Sequence, residues 1–156
     1  MIGSDVAAFV NRPVMIILAT CDTAGRAMIA RGSGALFNAR TGSIDVLLNQ
    51  AQWPNVSENA RKDRPIAVTC VRPADYLAYQ IKGWIQEVVP ASEEEQRRAR
   101  AYVRRMLDLM AGLGVSELQL SQTLTDRNLI RIRFRPTDLF VQTPGPGAGA
   151  RLRRNM

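Results

Sequence analysis

Apolar and polar positions along the chain repeat with a period close to two over most of its length and close to 3.6 in one long segment. "VMIILATC", Val14 to Cys21, and "AMIARGSGALF", Ala27 to Phe37, are apolar and partly β-branched, and they flank the glycine-containing turn "DTAGR". That pattern predicts a β-hairpin. A second turn, Asn38 to Ser43, offers Gly42 for positive φ and leads into "IDVLLN", Ile44 to Asn49, completing a three-strand meander. Pro54 suits a first helical turn and Pro65 opposes further helix, so a short helix is expected between the Gln52–Asn55 stretch and Lys62. Two more strands, Pro65 to Val71 and Tyr76 to Val89, bracket the turn "RPAD", with Gly83 marking a bulge or a close backbone approach.

The helical period appears twice. Ser4 is placed to cap a short helix through Asn11, which Pro13 stops. Ser92 and Glu95 form a capping box ahead of a stripe of Ala99, Val103, Met106, Leu107 and Met110, predicting a helix from Glu93 to Ala111 with acids at its start. "LIRIRF", Leu129 to Phe134, alternates Arg131 and Arg133 against Ile130, Ile132 and Phe134; Pro136 then separates it from a last strand, Leu139 to Thr143. Residues 144–156 hold proline, glycine and arginine with little to bury, and are expected to be a mobile tail behind a single domain of residues 1–143. Six or seven strands in mostly hairpin connection, with a few helices, give a mainly β (α+β) chain forming a small antiparallel barrel, its edges closed or covered by a second copy.

Composition narrows the chemistry. There is no histidine among the 156 residues, which removes the usual general base near neutral pH and the commonest metal and haem ligand. No metal site is expected. Cys21 and Cys70 lie in apolar strand-like runs and read as reduced core residues. No apolar run approaches the roughly 20 residues that span a bilayer, and the run Val14 to Ala19 lacks a signal peptide's basic flank, so a cytoplasmic location is expected. The formal charge is +7, and 19 of the 21 basic residues are arginine, a balance that permits anionic partners without requiring them.

A loop turning into a helix presents free backbone N–H groups, and the stretch from Gln52 through Trp53 and Asn55 to Val56 is such a place for an anion. Arg31 stands beside Gly32 and Gly34, where a guanidinium can hold a phosphate through two parallel hydrogen bonds and the backbone can approach closely. An ordinary surface arginine satisfies the same spacing. Lys82, next to Gly83, faces either a cleft or solvent. Trp53, Trp84 and Tyr79 are able to cover a planar ring, although aromatics in small proteins more often fill cores or dimer contacts.

The order "ATCDTAGRAMIARG", Ala19 to Gly32, then "SIDVLLN", Ser43 to Asn49, then a short helix ahead of "DRPIAVTC", Asp63 to Cys70, resembles the FMN-binding split-barrel family, the pyridoxamine 5'-phosphate oxidase-like proteins. The resemblance covers about Val14 to Val89. It implies an antiparallel Greek-key split β-barrel with flanking helices, homodimeric, with FMN between the subunits. It also implies that Arg31 grips the flavin phosphate, that the strand at Ile29, Ala30 and Gly32 lines the ring, and that Gln142 and Thr143 reach in from the other chain. The family's Thr-Asn pair falls on Leu48 and Asn49, and its Ser-x-Lys falls on Gln52, Trp53 and Pro54, so only Asn49 is kept and a lysine charge on the phosphate is missing. The altered helix start leaves room for a deazaflavin in place of FMN, or for a carrier or sensor role in place of a flavin-dependent oxidoreductase with an unknown small-molecule substrate. No set of pyridoxal phosphate ligands can be matched. A nucleic-acid-binding barrel, using an Arg131, Arg133 and Arg135 stripe, is the competing class.

Overall fold

The computed structural model describes residues 2–152. Strands β1 (Met15–Cys21), β2 (Ala27–Arg31), β3 (Ala35–Asn38), β4 (Ser43–Asn49), β5 (Pro65–Val71), β6 (Ala78–Pro90) and β7 (Leu129–Val141) form one antiparallel sheet in the order β2-β1-β5-β6-β7-β4-β3. β2 and β3 are consecutive in sequence yet lie at opposite ends of that order, so the sheet must curl until its two ends meet. They meet at Gly32–Ser33–Gly34, where Gly32 N donates to Ile16 O and the next residue, Ser33, already donates to Leu47 O. The expected single strand Ala27 to Phe37 is therefore two strands joined by a corner. A Cβ on Gly32 would lie 2.7 Å from Ile16 Cγ2, and Gly34 sits at φ +135°, which explains both glycines.

Where two strands were expected around Pro136, β7 runs unbroken for 13 residues and pairs with β4 on one side and β6 on the other. The proline is accommodated at a register shift opposite Gly83, whose missing side chain leaves room for the Arg135 carbonyl; a Cβ there would stand 2.2 Å from that oxygen. The expectation of a bulge or close approach at Gly83 is thus met. Of the expected tail, residues 144–152 turn back, with Val141 N donating to Ala150 O, Leu152 N to Leu139 O, and Arg151 pairing with Asp138, while 153–156 lie outside the described residues. The returning stretch takes up the edge of β7 beyond the reach of β4.

Four helices flank the barrel. α1 (Ser4–Val10) is capped by Gly3 rather than Ser4 and buries Val6, Phe9 and Val10. α2 (Pro54–Asn59) follows β4. α3 (Glu93–Gly112) has the expected capping box at Ser92 and Glu95 and buries Ala99, Tyr102 and Met106. α4 (Glu117–Ser121), unanticipated, carries its own capping box at Ser116 and Gln119. The core lies inside the curled sheet around Ile16, Leu18, Ile44, Val46, Val68, Ile81, Ile85, Ile132 and Phe134. Among the described residues no helix is long and apolar enough to cross a membrane.

Candidate functional site

The corner that closes the sheet also sets the candidate site. Arg31 is the last residue of β2, paired with Ile17 of β1, and the chain then swings onto β4, whose end carries Asn49. α2 returns over this region and packs on β1 and β2, held by a hydrogen bond from Thr20 Oγ1 to Val56 O of 3.0 Å. α2 thereby packs on the strand that ends at Arg31.

Among the described residues, four buried polar atoms on β2 and on the lead into α2 have no hydrogen-bond partner: Arg31 Nε, Arg31 Nη2, Gln52 Oε1 and Trp53 Nε1. Burial pulls the Arg31 pKa down, with a smaller opposing pull from Tyr102. Burial drives the Tyr102 phenol well above its ordinary 10.0, while its hydroxyl donates to Val14 O at 2.6 Å. A guanidinium in this setting keeps its charge but lacks a counter-charge, an arrangement that an incoming anion would relieve.

The neighbouring polar groups are partly committed. Asn49 Oδ1 accepts from Gln52 N at 2.8 Å and Asn49 O accepts from Trp53 N, so Asn49 shapes the turn into α2. Gln52 Nε2 donates to Gln122 O, and Ser33 Oγ donates to Thr125 O, so the segment after α4 is tied to both. Trp53 packs against the core instead of standing over a flat site. Pro54 opens α2 and brings no N–H, and Asn55 follows it in an exposed position.

Ile29 and Lys82 fall on the outer face of the sheet, the face from which Arg31 also projects. Pairing register aligns Ile29, Ala19, Ala67, Lys82 and Asp138 in one row, and Arg31, Ile17, Thr69, Gln80 and Phe140 in the next. Ile29 is 67% exposed, whereas Ala30 turns into the core, so those two do not share a face. Lys82 lies three strands from β2, roughly 14 Å away at the usual strand spacing, with its ammonium over the Phe140 ring. Gln142 N donates to Ala78 O and Thr143 Oγ1 accepts from Ala78 N, fixing both beside the start of β6. The three candidate aromatics do not meet: Tyr79 stacks edge-on against Phe9, and Trp84 is 48% exposed on β6.

The Arg131 and Arg133 stripe is not solvated. Arg133 makes a two-pronged bond to Asp45 at 2.7 and 2.9 Å, and Arg131 is buried among Glu87, Glu95 and Asp45. The Asp45 bond holds the Arg133 pKa above its ordinary value. With these two arginines spent internally, the basic stripe proposed for nucleic acid is reduced to Arg135. Among the described residues no group of acids and cysteines is arranged to hold a metal ion.

No protein-family model matches the chain and no curated protein matches it. Solved structures do. HupZ of Group A Streptococcus aligns over 96% of this chain and 100% of its own at 15% identity and a TM-score of 0.55. An F420 reductase aligns over 88% and 98% at 15% identity and a TM-score of 0.51. A proposed pyridoxamine 5'-phosphate oxidase of Lactobacillus delbrueckii aligns over 89% and 93% at 12% identity and a TM-score of 0.53. The chain has the fold of the pyridoxamine 5'-phosphate oxidase-like split barrels, as its element order implied.

Proposed function

We propose that the chain is a flavin-binding protein that works as a homodimer, with FMN lodged between the subunits and its phosphate on Arg31. The observation that carries this reading is the pair of buried nitrogens on Arg31 that have no hydrogen-bond or ion-pair partner among the described residues. A phosphate accepts from a guanidinium through parallel charge-assisted bonds, and the orphaned Trp53 N–H is a further donor. The absent Ser-x-Lys costs at least one such bond, about 1.5–3 kcal/mol, so weaker binding than a lysine-bearing site is expected.

The outer sheet face supports the dimer reading. Ile17 and Ile29 are exposed there around the small side chains of Ala19 and Ala67, and β2 is an edge strand. A second copy laid on this face buries the edge and carries its own Gln142 and Thr143 toward the cleft.

Bound flavin supplies the hydride and electron chemistry itself. The chain's residues bind and orient it: Arg31 takes the phosphate, Ile29 offers an apolar contact, and Lys82 and Gln142 set polarity across the face. The reaction class is oxidation or reduction of a small molecule, and the missing histidine is no obstacle to it. A deazaflavin is the second cofactor reading, favoured by the likeness to an F420 reductase; a carrier or sensor role uses the same cleft without turnover. Purified protein should be dimeric and should quench and shift flavin absorbance on titration with FMN. A monomer that leaves the FMN spectrum unchanged overturns the proposal, and a spectral response to deazaflavin alone reassigns the cofactor.

A further inference from the structure

On the other side of Tyr102, the neighbour of Arg31, the link after α1 together with β3, β4 and α3 lines a cleft of about 270 Å³. Three arginines line it: Arg12 from the link between α1 and β1, and Arg98 and Arg105 two turns apart on α3. Its walls are Pro13, Ala35, Leu47 and the Tyr102 ring, over a floor at Gly34. Arg31, Gln52 and Trp53 do not line it.

The charge balance here is one-sided. Among the described residues Arg12, Arg98 and Arg105 make no ion pair, whereas Arg26, Arg72, Arg131, Arg133 and Arg151 each hold a carboxylate. Acids are available at helical spacing, Glu94 four residues before Arg98 and Asp108 three after Arg105, and still neither is engaged. Asp45 also lines the cleft, but its oxygens are taken by Arg133. Asn11 adds a donor, since its Oδ1 accepts from Phe37 N at 2.8 Å and its Nδ2 is left over.

We propose that this cleft is a binding site for a small organic anion, a phosphate ester or carboxylate carrying a compact apolar body, distinct from the flavin site. The arginines and Asn11 take the anionic head through charge-assisted bonds, and Tyr102, Pro13 and Leu47 take the apolar part. The volume lies just under the roughly 300–1,000 Å³ of drug-sized pockets, which selects a single-ring ligand over a dinucleotide.

The test is titration of the full-length protein with phenyl phosphate by calorimetry, beside inorganic phosphate and benzyl alcohol. One saturable site per chain is expected for phenyl phosphate, with weaker binding of either half alone. The double variant Arg98→Gln/Arg105→Gln should weaken it by about tenfold or more, the scale of one lost charge-assisted bond. Arg12→Gln, off the helix and so free of any effect on α3, should weaken it several-fold. Arg31→Met should leave phenyl phosphate binding unchanged while reducing FMN binding, which separates this site from the flavin site. Equal affinity in the arginine variants, loss of binding in Arg31→Met, or no saturable binding by the parent protein at millimolar ligand overturns the proposal.

Discussion

Arg31 and Arg131 both end up with buried guanidinium nitrogens on a barrel strand, yet they live in opposite surroundings. Arg131 sits 2.7 Å from Glu87, 3.2 Å from Glu95 and 3.8 Å from Asp45. Both arginines have two buried nitrogens without a hydrogen bond, but those of Arg131 have carboxylates within ion-pair distance, whereas Arg31 makes no ion pair among the described residues and burial pulls its pKa down. Burying a charge is costly unless something answers it. At Arg131 the chain answers from within, so that arginine ties α3, β4 and β6 to β7. At Arg31 no carboxylate among the described residues answers, and that contrast with a structural ion pair is the basis for proposing Arg31 as the seat of an external anion.

Breaking the answered end should cost most. Arg131→Ala leaves Glu95 with no cation and Asp45 with Arg133 alone, and should lower stability by about 3–5 kcal/mol. Thermal denaturation should show a fall on the order of 10 °C for a domain of this size. Arg31→Met removes a charge nobody holds, so the unliganded protein should melt at the same temperature or higher. Its FMN affinity should fall by about tenfold or more, the loss of at least one charge-assisted bond. A large drop in melting temperature for Arg31→Met would show that Arg31 is structural after all, and the contrast would collapse.

Trp53→Phe sharpens the same contrast on a smaller scale. It removes the orphaned N–H and keeps most of the packing, so FMN affinity should drop several-fold in titration with stability changed by about 1 kcal/mol or less. The smallest effect concerns pH. Burial pushes the Cys70 thiol from 9.0 up to about 12, and Tyr102 is shifted in the same direction. Both are neutral in the folded chain while the unfolded chain ionises, so their contribution is intact below about pH 9 and is lost as pH climbs toward about 12. Urea melts across that window should show stability falling with pH, with a shallower slope in Cys70→Ala.

Much of the barrel was readable in the sequence because its local signals agree with one another. The Ser92 and Glu95 box, the period-two strands and the Gly83 approach all specify geometry through neighbouring residues. What escaped depended on distant pairing. The corner at Gly32 to Gly34 exists because β2 and β3 meet different partners, and β7 runs through Pro136 because Gly83 on another strand makes room. Residues 144–152 of the Pro/Gly tail turn back onto β7 through hydrogen bonds that their own composition does not announce. α4 did carry a signal, the Ser116 to Gln119 box, masked by its short length.

The candidate site was legible to a similar degree. Arg31 was visible from its glycine neighbours, and its lack of a partner was not, because burial and pairing are properties of the fold. Arg131 and Arg133 looked solvated by alternation alone. Their acids, Asp45, Glu87 and Glu95, come from three other elements. Tyr102 went unnoticed because the stripe on α3 was read at Val103, one residue away, while the structure turns Tyr102 inward.

The most direct measurement compares FMN with riboflavin, which differ only in the phosphate, in the parent protein and in Arg31→Met. The account predicts that the parent prefers FMN by about tenfold or more and that Arg31→Met binds the two alike. Equal affinities in the parent, or a preference for FMN that survives the loss of Arg31, would contradict it.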